Sequence, residues 1–135
     1  MSETLPTVHI VDDDPAIRKS LARLLSSAGY SCACHESAEA FFAQCMPETP
    51  GCVLIDLDLP GMDGFGLQNS LADPGFGQPA IFLTGAGDIP ASVRAMKAGA
   101  VDFLTKPVDA STLLPAIEQA LTIDDAARTE KGAAR

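Results

Sequence analysis

Residues 8–25 read VHIVDDDPAIRKSLARLL. Val8, His9, Ile10 and Val11 form a nearly unbroken apolar run, the mark of a strand covered on both faces. Three aspartates follow directly. Asp14 precedes Pro15, which sets an N-cap before a proline at the first helical position. Ile17, Leu21, Leu24 and Leu25 then recur at helical spacing, and Gly29 ends the helix. A buried strand that runs through acids into an amphipathic helix is the opening unit of an α/β fold.

The same alternation continues outward. Residues 31–35 read as a second strand. Ser37 caps a second helix with Phe41, Phe42 and Cys45 on its apolar face, and Pro47 and Pro50-Gly51 break it. Residues 52–55 are a third apolar strand that runs into Asp56, followed by a Pro- and Gly-rich loop over 59–64. A third helix over about 65–71 is weakly coded, because Gly66 lies inside it. Residues 80–83 form a fourth strand ending at Thr84. Asp88 and Pro90 open a fourth helix that ends at Gly99, and 101–104 form a fifth strand. Asp109 is a candidate cap for a last helix carrying Leu113, Leu114, Ile117 and Leu121. Pro115 conflicts with that start, and a beginning near Thr112 would move it into the tolerated first turn. Five strands alternating with five helices predict a doubly wound α/β fold with a five-stranded parallel sheet covered on both faces. The expected organisation is one domain over 1–121 and a polar tail or linker stub over 122–135.

The chain has 135 residues and carries a net charge of −9. That length buries roughly two thirds of the unfolded surface, so the core needs no metal or disulfide staple. Such acidity disfavours direct nucleic-acid binding, since phosphate rewards Lys and Arg. No apolar run is long enough to span a membrane, and residues 1–6 lack the basic flank of a signal peptide. Cys32, Cys34, Cys45 and Cys52 contain no CxxC pair and read as free thiols in a reducing, cytoplasmic setting. His9, inside a strand, and His35, at a strand end away from the site, read as packing residues.

In open α/β sheets, ligands bind beyond the carboxyl ends of the strands. The residues there are Asp12 and Asp13, Asp56, Thr84 and Lys106. Three carboxylates on one rim repel each other unless a cation or a raised pKa intervenes. Oxygen-only ligands favour Mg²⁺. A carboxylate can also act as a nucleophile toward phosphorus, with Mg²⁺, a lysine and a hydroxyl offsetting phosphoryl charge. Taken singly, each residue has a plainer role: helix-terminal acids, a turn, a strand exit, a solvated lysine. Their joint placement at the strand ends favours a site.

The stretches VHIVDDDPAIRKSLARLL, CVLIDLDLPGMDGFG (52–66), IFLTGAGDIP (81–90) and ASVRAMKAGAVDFLTKPVD (91–109) resemble the receiver domain of two-component response regulators. The likeness is nearest to the nitrogen-fixation regulator subgroup and covers about residues 7–121. It implies a flavodoxin-like (βα)5 fold with strand order 2-1-3-4-5. It further implies that Asp56 is the phospho-acceptor and that Asp12 and Asp13 are the acid pair, with Asp13 a direct Mg²⁺ ligand. By the same resemblance the backbone carbonyl of Asp58 completes the metal site. Thr84 is then the switch hydroxyl, Phe103 the switch aromatic, Lys106 the phosphate-pairing lysine and Pro107 a cis-proline. Leu59 departs from the Met common before the Pro, and Asp58 and Ala86 occupy the two positions that tune dephosphorylation.

The function so implied is a signalling switch, not a turnover enzyme, phosphorylated by a sensor histidine kinase or phosphotransfer protein. Phosphorylation would reshape the face of the fourth helix and fifth strand, where Arg94, Lys97 and Asp102 offer mixed charge to a symmetric homodimer. The enzyme alternative is a haloacid-dehalogenase-like phosphatase using Asp56 as nucleophile and Asp58 as acid/base. Against it, that motif normally lies on the first strand, not the third. A binding-only pseudo-receiver is disfavoured by the intact Asp56, Thr84 and Lys106.

Overall fold

The computed structural model describes residues 6–44, 50–56, 79–85, 101–106 and 108–133. Its elements are β1 (Thr7–Val11), α1 (Pro15–Ser27), β2 (Ser31–His35), α2 (Ala38–Gln44), β3 (Gly51–Asp56), β4 (Ala80–Thr84), β5 (Asp102–Thr105) and α3 (Ala110–Ala133). The predicted helices over 65–71 and 88–99 and the loop over 59–64 lie outside the described residues.

The strands form one parallel sheet in the order β2-β1-β3-β4-β5, as expected. β3 and β4 are buried at every position, which explains their lack of polar alternation. Val8, Ile10, Cys52, Leu54, Ile81, Leu83 and Leu104 face Leu21 and Leu25 of α1 and Leu113, Ile117 and Ala120 of α3, forming the main core. On the other face, Phe41 of α2 is fully buried against the rings of His9 and His35.

Local signals act where the sequence places them. Asp14 caps α1, its Oδ1 accepting the Ala16 N–H at 2.9 Å. Ser37 caps α2, its Oγ accepting the Ala40 N–H at 3.1 Å. Gly29 has φ +94°, the left-handed turn after α1 that glycine adopts without penalty.

The last helix departs from one of its two expected starts and from its expected end. It begins at Ala110, capped by Asp109, whose Oδ1 accepts the Thr112 N–H at 2.9 Å, and not near Thr112. Pro115 therefore sits within the helix. The carbonyl it leaves unbonded belongs to Ser111. Both residues are exposed, so water can satisfy the group. The helix then continues to Ala133, past Leu121 where the apolar spacing stops. Alanine, glutamate, lysine and arginine favour helix in this stretch. Asp124 also turns inward to the sheet.

Candidate phosphoryl site at the strand heads

β1 and β3 are paired in register, Val11 opposite Ile55. That register carries Asp12 and Asp56 to the same rim, and both are buried. Asp13, one residue further along the loop, is exposed. One carboxylate oxygen from each of the three lies within 4.8 Å of the other two. The donor set is all oxygen, which fits a hard cation such as Mg²⁺ and not a soft one.

Asp12 is held from three directions. Its Oδ1 accepts the Asp14 N–H at 2.9 Å. Its Oδ2 accepts from Lys106 Nζ at 2.8 Å. Its backbone carbonyl accepts from Arg18 Nη1 at 2.7 Å, tying the first turn of α1 to the strand end. Asp13, by contrast, has no side-chain hydrogen bond or ion pair among the described residues, so its carboxylate is available to a ligand.

Lys106 leaves β5 with its backbone N–H on the Thr84 carbonyl at 2.7 Å. Its ammonium lies 2.8 Å from Asp12 and 3.6 Å from Asp56. Burial works against that charge, but the hydrogen bond to Asp12 and the charges of Asp56 and Asp12 outweigh it and raise the Lys106 pKa. Thr84 is buried at the head of β4, next to β3. Phe103 is partly buried opposite Phe82, two residues below the Thr84–Thr105 pair and so on the same face as Thr84. The structure thus brings Asp12, Asp13, Asp56 and Lys106 together, with Thr84 alongside. Asp58 and Pro107 lie outside the described residues.

The sequence profile of the response regulator receiver domain matches residues 8–118, spanning all five strands and every strand-head residue above. The chain belongs to the response regulator receiver family. Among curated relatives, this receiver domain is 46% identical to the transcriptional regulatory protein FixJ of Rhizobium meliloti (strain 1021) over 114 residues, covering 84% of this chain and 56% of that protein. It is 43% identical to the tetrathionate response regulatory protein TtrR of Salmonella typhimurium over 123 residues, covering 91% of this chain and 60% of that one. Among solved structures, FixJ-N superposes with a TM-score of 0.79 at 45% identity, covering 90% of this chain and 96% of that chain. The response regulator StyR superposes with a TM-score of 0.89 at 43% identity, covering 96% and 65%. The receiver domain therefore spans a little over half the length of the curated relatives it matches. The dehalogenase-like alternative finds no support in these likenesses, and Asp56 heads the third strand, not the first.

Two polar features of the receiver domain escaped the sequence reading. His9 Nδ1 and His35 Nε2 lie 3.0 Å apart as a buried hydrogen-bonded pair. Burial, then the neighbouring His35, pushes the His9 pKa down to about 4, and burial lowers that of His35. Asp124, beyond the last apolar position of α3, is buried and accepts the Gly51 N–H at 2.9 Å. Burial first, then Asp124 and Cys32, pushes the Cys52 thiol up to about 12, so it is inert as a thiolate near neutrality. Among the described residues, Cys32, Cys34 and Cys52 carry free thiols.

Proposed function

We propose that Asp56 is the phospho-acceptor of a two-component signalling switch, phosphorylated by a sensor histidine kinase or phosphotransfer protein. The observation that carries this reading is the placement of the Asp56 carboxylate beside Asp12, Asp13 and the Lys106 ammonium. In the transfer step, an Asp56 oxygen forms a bond to phosphorus as the N–P bond of the phosphohistidine donor breaks. The electron pair returns to the imidazole nitrogen, which takes up a proton. Lys106, already within 3.6 Å of Asp56, can pair with a phosphoryl oxygen built there. Thr84 is assigned the switch hydroxyl and Phe103 the aromatic that follows it.

Asp12, Asp13 and Asp56, with the Asp58 carbonyl, are the proposed holders of Mg²⁺. The ion would offset crowded carboxylate and phosphoryl charge. Pro107 is assigned the cis-proline on resemblance. A groove of about 350 Å³ lined by Ala16, Ile17, Ser20, Leu83, Lys106 and Val108 opens beside the site. The domain extends past the expected boundary at residue 121 to Asp124, which is buried against the foot of β3, and the chain leads away after it. It is cytoplasmic, does not itself bind nucleic acid, and turns over no external substrate. When phosphorylated it forms a homodimer through the fourth predicted helix and β5, involving Arg94, Lys97 and Asp102. Sedimentation with and without beryllofluoride tests this, and a dimer that survives Arg94→Glu with Lys97→Glu refutes the interface.

The deciding experiment is intact-mass measurement after acetyl phosphate treatment with Mg²⁺. Wild type should gain one phosphoryl group and Asp56→Asn none, because an amide is a poor nucleophile. A phosphorylated Asp56→Asn variant places the acceptor elsewhere.

A further inference from the structure

Alternate N–H groups along a strand point to opposite neighbours. The Val53 N–H bonds the Pro79 carbonyl at 2.9 Å, on the β4 side of β3. The Gly51 N–H, two residues earlier, points to that same side. Pairing with β4 starts only at Val53 opposite Ala80. The foot of β3 therefore extends beyond the strand that would satisfy it. Asp124 Oδ2 fills this place, 2.9 Å from the Gly51 nitrogen and 73 residues away in sequence.

Two further observations show that the contact is built in. Gly51 cannot carry a side chain, since a Cβ there would lie 2.1 Å from the Thr7 carbonyl oxygen. The glycine lets β1 and β3 close together at the foot while its N–H stays open to α3. Asp124 itself is only 4% exposed and continues the buried face of α3 after Leu113, Ile117 and Ala120. A carboxylate at a position where the spacing calls for an apolar side chain is costly to bury unless it is bonded.

We propose that Asp124 is a clamp that fixes α3 to the foot of β3 and so sets the point and direction at which the chain leaves the receiver fold. Asp125 and Ala126, immediately beyond it, are exposed. The helix is held through Asp124 and projects from there. β3 carries Asp56 at its head and the clamped Gly51 at its foot, with every residue between them buried. One rigid strand thus spans the acceptor end and the exit end. The curated relatives extend well beyond the matched region. In a longer chain the clamp would govern how a following segment is presented.

Amide hydrogen exchange and limited trypsin digestion on the full chain test this, comparing wild type with Asp124→Asn and Asp124→Ala. In Asp124→Ala, the Gly51 amide should lose about tenfold or more of its protection relative to the Leu54 amide, as loss of a charge-assisted bond predicts. Cleavage after Arg128 should accelerate several-fold. Asp124→Asn keeps an acceptor oxygen and should recover part of both, which a merely space-filling role would not produce. Acetyl phosphate labelling of Asp56 should stay as in wild type. Unchanged Gly51 protection or unchanged cleavage in Asp124→Ala overturns the clamp. So does a loss of labelling with the exit helix intact, since the carboxylate would then be acting on the acceptor end. If Asp124→Ala does not fold, the same comparison of Asp124→Asn with wild type decides. A weakened Gly51 bond and a looser exit helix support the clamp, and no difference overturns it.

Discussion

Mild acid should weaken this fold through the buried His9–His35 pair. The His9 imidazole has a pKa of about 4 in the folded protein, against about 6.5 in the unfolded chain. The folded state therefore binds fewer protons than the unfolded state across that interval. The stabilisation is complete above pH 6.5 and declines as pH falls through 6.5 toward 4. The slope for one proton is about 1.4 kcal/mol per pH unit, so the full His9 shift is worth about 2 kcal/mol between pH 7.5 and 5. Discounting for solvent screening brings this to about 1 kcal/mol. His35, also lowered, acts in the same direction. The remaining ring nitrogens, His9 Nε2 and His35 Nδ1, are buried with no hydrogen-bond partner among the described residues, so none of those residues offers an acceptor for an added proton.

Urea unfolding at pH 7.5 and 5 measures the effect. With a slope of about 1–3 kcal/mol per molar urea, the midpoint of wild type should drop by roughly 0.3–1 M. The double variant His9→Leu with His35→Leu removes both titrating rings next to Phe41 and should flatten the dependence. Equal pH dependence in wild type and the double variant would refute the assignment, whatever their absolute stabilities.

Three more outcomes are expected. Gly51→Ala drives a Cβ into the Thr7 carbonyl and should cost about 2–4 kcal/mol in urea unfolding, with wild-type stability refuting the close approach. Asp13→Ala should weaken Mg²⁺ binding by titration calorimetry more than Asp12→Ala, because both Asp12 oxygens are already bonded while Asp13 is free among the described residues; equal losses would contradict this. Lys106→Met leaves Asp12 and Asp56 without their shared cation and should lower stability by about 1–3 kcal/mol in the absence of divalent ions. Added Mg²⁺ should recover part of that loss, and a variant as stable as wild type would show that the ion pairs contribute nothing net.

What the sequence made legible follows from periodicity and local chemistry. β1, β3 and β4 are continuous apolar runs because both faces are covered, and Asp14-Pro15 and Ser37 are caps that act within three residues. The strand-head residues were legible because a parallel sheet sends all its carboxyl ends to one edge. The His9–His35 bond was not, since it depends on how the rings lean across two strands and not on spacing in either. Asp124 was missed because it lies past the end of the apolar stripe, and only the uneven starts of β3 and β4 create the N–H that it meets. Pro115 misled over the start of α3 because its missing bond falls on the exposed side, where the penalty is small.

The pocket formed by Asp12, Asp13, Asp56 and Lys106 holds three negative charges and one positive charge within a few ångströms. Its residual charge of about −2 attracts any small cation, not only a divalent one. Potassium and sodium in bulk solution will crowd the same mouth, where the exposed Asp13 meets solvent. Were Mg²⁺ held there, its apparent affinity would be a competition constant that falls as monovalent salt rises. A receiver built this way would then respond to the ionic composition around it whenever it accepts a phosphoryl group.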